Sequence, residues 1–511
     1  MKRYYYALIL FIFVLIIMSF LNACIFFQNI IYDKVFLFYI DGANNLDDFA
    51  IKDFDEIISG YCENENNCVA LVLIDRMYDG PITYEDWDDT RLYKIVYNPD
   101  GELEELSSDE LGLTTLYIDE DLDMGNPETI QKFCEFAVKN YPSKHYYLDI
   151  WNHGGGWRSK NKEICSDEES ESVIYMRQLR SCLLKVKNFH LDLIILDACN
   201  MATLEVAYNF IDLVDYIIFS QKPIPADGMP YKELISSIFS KKDIEVIIDD
   251  ICTSYVNYYI ENNNNDISIS ALKIDKDKAL LSFIDKFKNI LPSISISALR
   301  QQRDKISNFA QTTVDFSVFS LQSFELENEL SKIVISNYPE LLTGISIYFP
   351  KYPSYDNYVS CYNPENVYFC EKYPFYLDFI LSYNHSGIEN CDSYEPNGSK
   401  TKAFLLQIPF NIQSYIWCEN DYDYFTFPVI TNNGLKIILI PPEECDYDLK
   451  IYYYKNSELY LLQSSLPDDS IEEIAIEQQL LSQIEQIYIL VYGSNESFNQ
   501  TKSYTLKCEY Y

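Results

Sequence analysis

From residue 34 onward, apolar runs of six or seven residues alternate with mixed stretches whose apolar positions fall three and four apart. Short apolar runs bounded by turn residues read as strands buried on both faces, and the 3.6-residue spacing between them reads as crossover helices. The pattern predicts strands at 34–40, 68–74, 91–97, 145–151, 192–197 and 214–220. That order implies an α/β domain with a mainly parallel sheet and helices on both faces. A helix is predicted after the first strand, capped by Asn44 or Asn45, with Leu46, Phe49, Ile57 and Ile58 among its apolar positions. A second should open at Pro127, a residue suited to the first helical turn, and run through Phe133, Phe136 and Ala137. A third is expected over 202–212. Residues 231–340 read as mostly helical around one strand near 267–273, and a strand at 344–349 precedes a closing helix at 375–383.

The pattern changes across residues 384–391. Short alternating runs follow at 402–408, 413–417, 423–429, 434–440, 448–454, 487–492 and 503–508, separated by Asn, Gly and Pro turns. That spacing predicts an all-β sandwich. A chain of 511 residues has length for two or three domains, and the boundaries fall at 34–385 and 390–511.

Residues 1–23 read as an export signal, with Lys2 and Arg3 ahead of an almost wholly apolar stretch at 4–20. Leu21-Asn22-Ala23-Cys24 resembles a bacterial lipobox, in which Cys24 would carry the lipid and residues 24–33 would form a tether. Apolar character resumes at 25–31, so an uncleaved membrane helix is the alternative. Both readings put the bulk of the chain outside the cytoplasm, anchored to a membrane.

Charge and cysteines narrow the choice of partners. With 78 acidic against 39 basic residues, the net charge of −39 excludes nucleic acid, whose phosphates would be repelled. Of fourteen cysteines, setting aside Cys24 and Cys199 leaves twelve, an even number compatible with disulfides in that compartment. Cys62 with Cys68 and Cys361 with Cys370 are close enough to close small loops; buried apolar thiols are the alternative. No pair has the CxxC spacing of a zinc site, and no metal is assigned.

The chemistry lies just past two predicted strands. His153-Gly154-Gly155-Gly156 follows the strand at 145–151, and Cys199 follows the strand at 192–197. In a parallel sheet such motifs gather at the carboxyl ends. A thiol, an imidazole and a glycine turn that lets backbone approach a carbonyl form the layout of a cysteine nucleophile, its base and an oxyanion site. Cys199 sits between a strand end and a predicted helix start, where N–H groups and the helix dipole lower a thiol pKa. His145, His190 and His385 lack a comparable motif. The glycine turn as a lipase oxyanion loop would need a GxSxG elbow, and a zinc peptidase would need HExxH; neither occurs.

Five segments in order resemble the clostripain-like cysteine peptidases, relatives of caspases and gingipains. They are Asp123-Met124-Gly125-Asn126-Pro127-Glu128-Thr129, Trp151 through Trp157 around the glycine turn, and Leu196-Asp197-Ala198-Cys199-Asn200-Met201-Ala202-Thr203-Leu204-Glu205-Val206. Ser220-Gln221-Lys222-Pro223-Ile224-Pro225 leading to Gly228-Met229-Pro230-Tyr231, and Gly344-Ile345-Ser346-Ile347-Tyr348-Phe349-Pro350, complete the set. The resemblance implies a caspase-like fold and a Cys199–His153 dyad acting on protein or peptide substrates. It assigns the oxyanion hole to the Gly154 and Cys199 amides, with no third catalytic residue and no required cofactor. It also implies that Asp197 lines the pocket for the residue before the scissile bond, giving cleavage after Arg or Lys. Strand alternation puts Asp197 on the same side as Cys199; a carboxylate capping the next helix is the alternative. Ser220 and Gln221 match the segment bordering that pocket, and Met229 stands where relatives often carry tryptophan. Lys160 or Lys162 is a self-cleavage site by the same resemblance, or else part of a plain charged loop. Asp41, Asn44 and Asn45 match a further signature, read as structural. Residues 390–511 resemble the bacterial pre-peptidase C-terminal domain, whose acidic pairs are compatible with calcium, although solvated turn carboxylates are the commoner explanation. The implied function is a membrane-tethered extracytoplasmic cysteine endopeptidase. The competing reading is an inactive peptidase-fold lipoprotein used for binding or adhesion.

Overall fold

The alternation inside β1 (Tyr32–Gly42) sets the layers of the molecule. Val35, Leu37 and Tyr39 enter the core on one face, and Phe36, Phe38 and Ile40 enter the core on the other, all fully buried. A strand buried on both faces belongs in the middle of a covered sheet. The computed structural model describes residues 31–511 apart from 61–66, 78–86, 98–101, 108–110, 114–116, 119–120, 158–163, 304, 307, 310–312, 351–361, 365–366, 386–393, 395–396, 417–420, 430–432, 456–457, 465–470, 495–496 and 500–501.

Eight further strands join β1: β2 (Cys68–Arg76), β3 (Arg91–Val96), β4 (Glu102–Leu106), β5 (Ser143–Trp151), β6 (Leu191–Asp197), β7 (Val214–Phe219), β8 (Ile269–Lys273) and β9 (Val334–Tyr338). Their order is β9-β8-β7-β6-β5-β1-β2-β3-β4. The five central strands, β7 to β2, run parallel. The outer pairs on both sides are antiparallel. All six strands predicted for this domain's first half lie in this sheet, and the strand near 267–273 is β8. β4 and β9 were not predicted: β4 is Glu-Leu-Glu-Glu-Leu at the sheet edge, where charge discourages further pairing, and β9, Val-Ile-Ser-Asn-Tyr, is only half-buried at the other edge. The strand expected at 344–349 forms as Ser346–Tyr348, but in a small separate sheet with Thr313–Asp315 and Asn308–Phe309.

Helices cover both faces. On the Phe36 side lie α1 (Asp47–Ile58), α4 (Tyr231–Ile238) and α5 (Ile244–Glu261); on the Val35 side lie α2 (Pro127–Asn140), α3 (Leu204–Tyr208) and α6 (Ala279–Ile290). Asn126 caps α2 by accepting the Glu128 amide at 3.0 Å, with Pro127 in the first turn as expected. The expected cap of α1 is not made. Leu46 takes the cap position, and Asn44 accepts the Leu46 amide at 2.9 Å one step earlier, closing an Asx turn instead. α3 is shorter than the predicted 202–212; it starts at Leu204 behind Thr203, whose Oγ1 accepts the Val206 amide at 3.1 Å.

Beyond residue 400 a five-stranded and a four-stranded sheet share a third core, including Phe425, Leu449 and Ile489 from one and Leu435, Ile437 and Leu506 from the other. This is the expected sandwich. Strands Glu458–Ser464 and Glu472–Ile476 are additions to the predicted set. Seven of the twelve cysteines considered for disulfides (Cys134, Cys165, Cys182, Cys252, Cys370, Cys445 and Cys508) are thiols. Burial pushes Cys252 and Cys508 up to about 12, so they behave as apolar side chains. Cys24 and the export segment lie outside the described residues, and among the described residues no helix is long and apolar enough to cross a membrane.

Candidate active site

β5 and β6 end together. Their last paired residues are Trp151 and Asp197, and the Asn152 amide extends the ladder to the Asp197 carbonyl at 3.3 Å. His153 and Cys199 each lie two residues past that pair, so they leave adjacent strands side by side at the carboxyl end of the sheet. The sheet changes direction between β1 and β5, beside this point, where open α/β sheets place their ligands.

The glycine turn is fitted to the cysteine segment. A Cβ on Gly154 would lie 2.5 Å from the Cys199 carbonyl oxygen, 2.7 Å from its nitrogen and 2.8 Å from the Ala198 Cβ. Only glycine allows the two backbones this close. Gly156 has a φ of +76°, with the Asn200 carbonyl 3.1 Å from where its Cβ would be. Asn200 itself has a φ of +60°, and its amide donates to the Lys222 carbonyl at 3.1 Å. Cys199 and His153 are both half-buried. The Cys199 thiol faces the Ile224 carbonyl oxygen, with Sγ···O 3.7 Å. Nε2 of His153 lies 2.7 Å from Oδ1 of Asn45, on the loop after β1.

One electrostatic expectation fails here. α3 begins five residues beyond Cys199 and has only five residues, so its dipole is weak and distant at the thiol.

Asp197 does not cap α3; Thr203 does. Its side chain turns instead to the face covered by α4 and α5. Oδ2 accepts the Met229 amide at 2.9 Å and the Tyr231 hydroxyl at 2.8 Å. Oδ1 receives no hydrogen bond among the described residues. Asp149 lies on the neighbouring strand one alternation back, fully buried, with neither oxygen hydrogen-bonded among the described residues. Asp53 on α1 accepts the Trp151 indole N–H at 2.8 Å. Gly228, at a φ of +59°, roofs this group: a Cβ there would be 2.9 Å from both Asp197 Oδ2 and Asp53 Oδ2. Burial pushes Asp197 up to about 6, and burial plus the Asp197 charge holds Asp149 well above the carboxylate range. Burial and the neighbouring Asp197 carboxylate both disfavour ionisation of Asp149. Asp53 and Asp149 were not marked by sequence, where the one available hint was the alternation from Asp149 to Trp151; Tyr231 stood only as the last residue of the matched segment, with no role given to it.

Ser220 is fully buried, its Oγ within 2.8 Å of the Lys222 and Ser268 carbonyls and of the Ser268 hydroxyl. Gln221 donates to Asp315 at 2.9 Å and to Ser346 at 2.7 Å. Both fix the start of the loop that carries Ile224, Gly228 and Met229 past Cys199. His145 pairs with Asp192 at 2.8 Å and His190 with Asp215 at 3.3 Å, at the opposite, amino end of the strands. Lys160 and Lys162 lie outside the described residues. Ile164, the next described residue, bridges Gly154 beside the glycine turn.

Behind the site, Glu205 on α3 is fully buried, with Oε1 accepting the Tyr348 amide at 2.9 Å and the Tyr362 hydroxyl at 2.8 Å. Trp157, at the end of the glycine turn, packs edge-on against both tyrosine rings. Burial pushes Glu205 up to about 7, above its ordinary value of 4.5. A raised carboxylate pKa favours the fold below the unfolded value, and that advantage is lost as pH rises through 7. Glu205→Gln keeps the accepting oxygen and cannot ionise. It should therefore stabilise the protein at pH 8 by about 1–3 kcal/mol, a gain that fades towards pH 5. Thermal melts at the two pH values check this; an equal loss at both would refute it.

The sequence matches the clostripain family over residues 38–370. Clostripain from Hathewaya histolytica is 32% identical over 222 residues, 40% of this chain and 41% of that protein, so the match spans less than half of the curated relative. The fold is shared with an inactive zymogen C11 protease from Parabacteroides distasonis, at TM-score 0.50 and 22% identity over 63% of this chain and 93% of that one. It is also shared with a secreted C11 cysteine protease from Bacteroides thetaiotaomicron bound to an irreversible peptide inhibitor, at TM-score 0.53 and 19% identity over 68% and 98%. With a family match across well over half its length, and a histidine, a glycine turn and a cysteine brought together on two adjacent strand ends, this chain belongs to the clostripain family of C11 cysteine peptidases.

Proposed function

We propose that the protein is an extracytoplasmic endopeptidase that cleaves after Arg or Lys through Cys199 and His153. The observation that supports this is the close fit of Gly154 against the Cys199 backbone, at the ends of the adjacent strands that lead to His153 and Cys199. His153 takes the Cys199 proton, and the thiolate adds to the scissile carbonyl. The Gly154 and Cys199 amides hold the oxyanion. His153 then returns the proton to the leaving amine as the C–N bond breaks, leaving a thioester on Cys199. Water attacks the thioester, gives its proton through His153 to the departing thiolate, and frees the carboxylic acid. Asp197, charged and open at Oδ1, meets the substrate's guanidinium or ammonium group. Ser220 shapes the pocket by holding its loop.

Export by the N-terminal segment, with lipid on Cys24, would tether this domain and the sandwich of 390–511 to a membrane surface. The secreted relative agrees with an extracytoplasmic site. The dyad mechanism itself calls for no cofactor.

The reading is tested with residues 32–511 and matched fluorogenic peptides ending in Arg, Lys, Ala and Asp. Turnover confined to Arg and Lys supports it; equal turnover of all four would remove Asp197 from the pocket. The same preparation tests self-cleavage. Wild type should yield a new N-terminus at Asn161 or Glu163, while Cys199→Ala remains one chain. An intact wild type of full activity would show that the loop is not a processing site.

A further inference from the structure

We infer that Asn45 is a positioning residue that fixes the tautomer and direction of the His153 ring. This rests on His153 serving Cys199. A side-chain carbonyl can only accept, so the 2.7 Å contact between Asn45 Oδ1 and His153 Nε2 requires the proton on Nε2. Nδ1 is then the basic nitrogen, the one that exchanges a proton with the thiol and the leaving amine.

The loop that carries Asn45 is held in a way that suits this task and no helix-capping role, since Leu46 occupies the cap of α1. Asn44, buried beside it, donates to the Asp41 carbonyl at 3.1 Å and the Ser166 carbonyl at 3.2 Å, and accepts the Leu46 amide. Asn152 donates to the same Asp41 carbonyl at 2.8 Å. Glu168 donates its amide to the Ala43 carbonyl at 2.9 Å. The residue just before His153 is thus bonded to the strand end just before Asn45, so the two side chains share one rigid frame across the β1–β5 switch. Asn45 itself is exposed, and little of the packing depends on it. An exposed asparagine set by three buried neighbours onto the ring of the base is poorly explained by stability.

The test compares Asn45→Ala, Asn45→Asp and His153→Ala with wild type, on a peptide ending in Arg, over pH 5–9. Asn45→Ala should lower kcat roughly 10- to 100-fold with KM nearly unchanged, less than the 10²–10⁴-fold that a whole general base supplies. Its melting temperature should match wild type. Asn45→Asp keeps an acceptor and adds charge next to the imidazole. It should recover part of the lost rate and move the limb set by the imidazole upward by roughly half a unit to one unit. An Asn45→Ala rate within about twofold of wild type, with His153→Ala inactive, overturns the positioning role and leaves the dyad standing. Equal losses in both Asn45 variants with an unmoved limb overturn it as well, since only bulk structure would then be at stake. Activity in His153→Ala overturns this inference and the dyad together.

Discussion

Replacing Cys199 with alanine should reduce turnover of arginyl and lysyl peptides by roughly 10⁴- to 10⁶-fold, with no change in fold. The size follows from the absence of a substitute. Among the described residues the other cysteines are buried or lie away from the carboxyl ends of the central strands, and burial holds Cys134, Cys165, Cys252, Cys370 and Cys508 as protonated thiols. Among the described residues nothing else at the carboxyl ends of β5 and β6 is a nucleophile of comparable strength. The fold should survive because Cys199 is half-buried, and its loop is fixed by backbone contacts that alanine keeps: Asn200 to Lys222, Ala202 to Ser220, and the Gly154 turn. Steady-state kinetics with circular dichroism as the folding control check this. A few per cent of wild-type activity in a well-folded variant would be far too much for a lost nucleophile.

The second large effect is on specificity. Asp197→Asn should lower kcat/KM for arginyl peptides by roughly 30- to 3,000-fold, the range for removing one partner of a buried charged pair. A peptide with neutral citrulline in place of arginine should lose far less. Asparagine can still accept from Met229 and Tyr231, so the loop stays in place. The pH dependence follows from the same carboxylate. Asp197 is pushed up to about 6 in the free protein, so kcat/KM for arginyl peptides should fall as pH drops through 6 and the charge is neutralised. Asp197→Asn should lack that limb. Stability carries the opposite sign: a raised carboxylate pKa means that ionised Asp197 weakens the fold above pH 6. The variant should therefore melt no lower than wild type at pH 7.5 while losing the substrate. A loss shared equally by arginyl and citrullinyl peptides would mean that Asp197 supports the loop only.

Much of this was legible in the sequence because it depends on local pattern. Strands buried on both faces announce themselves as apolar runs, and a glycine turn or a cysteine immediately after such a run must lie at a strand end. The edges were not legible: β4 is mostly glutamate, and β9 is a short half-buried run that directly continues a helix ending at Ile333. Helix α3 was overestimated because Phe210 and Ile211 continue its apolar spacing although the helix stops at Tyr208. The surroundings of Asp197 were hidden for a different reason. Asp53 reaches it from a helix 144 positions before, and Gly228 and Tyr231 from a loop and the start of α4 about 30 positions after. The three-way meeting is a product of sheet order, which no window along the chain contains. Asn45 stood in a recognised signature, but its role depends on β1 lying next to β5, a pairing between residues about 110 positions apart.

The most direct measurement is the site of covalent capture. The folded protein is treated with a peptidyl-arginine chloromethyl ketone and digested, and the adduct is located by mass spectrometry. One adduct is expected, on Cys199, formed in step with the loss of activity. An adduct on another cysteine, or full loss of activity with Cys199 unmodified, would contradict it.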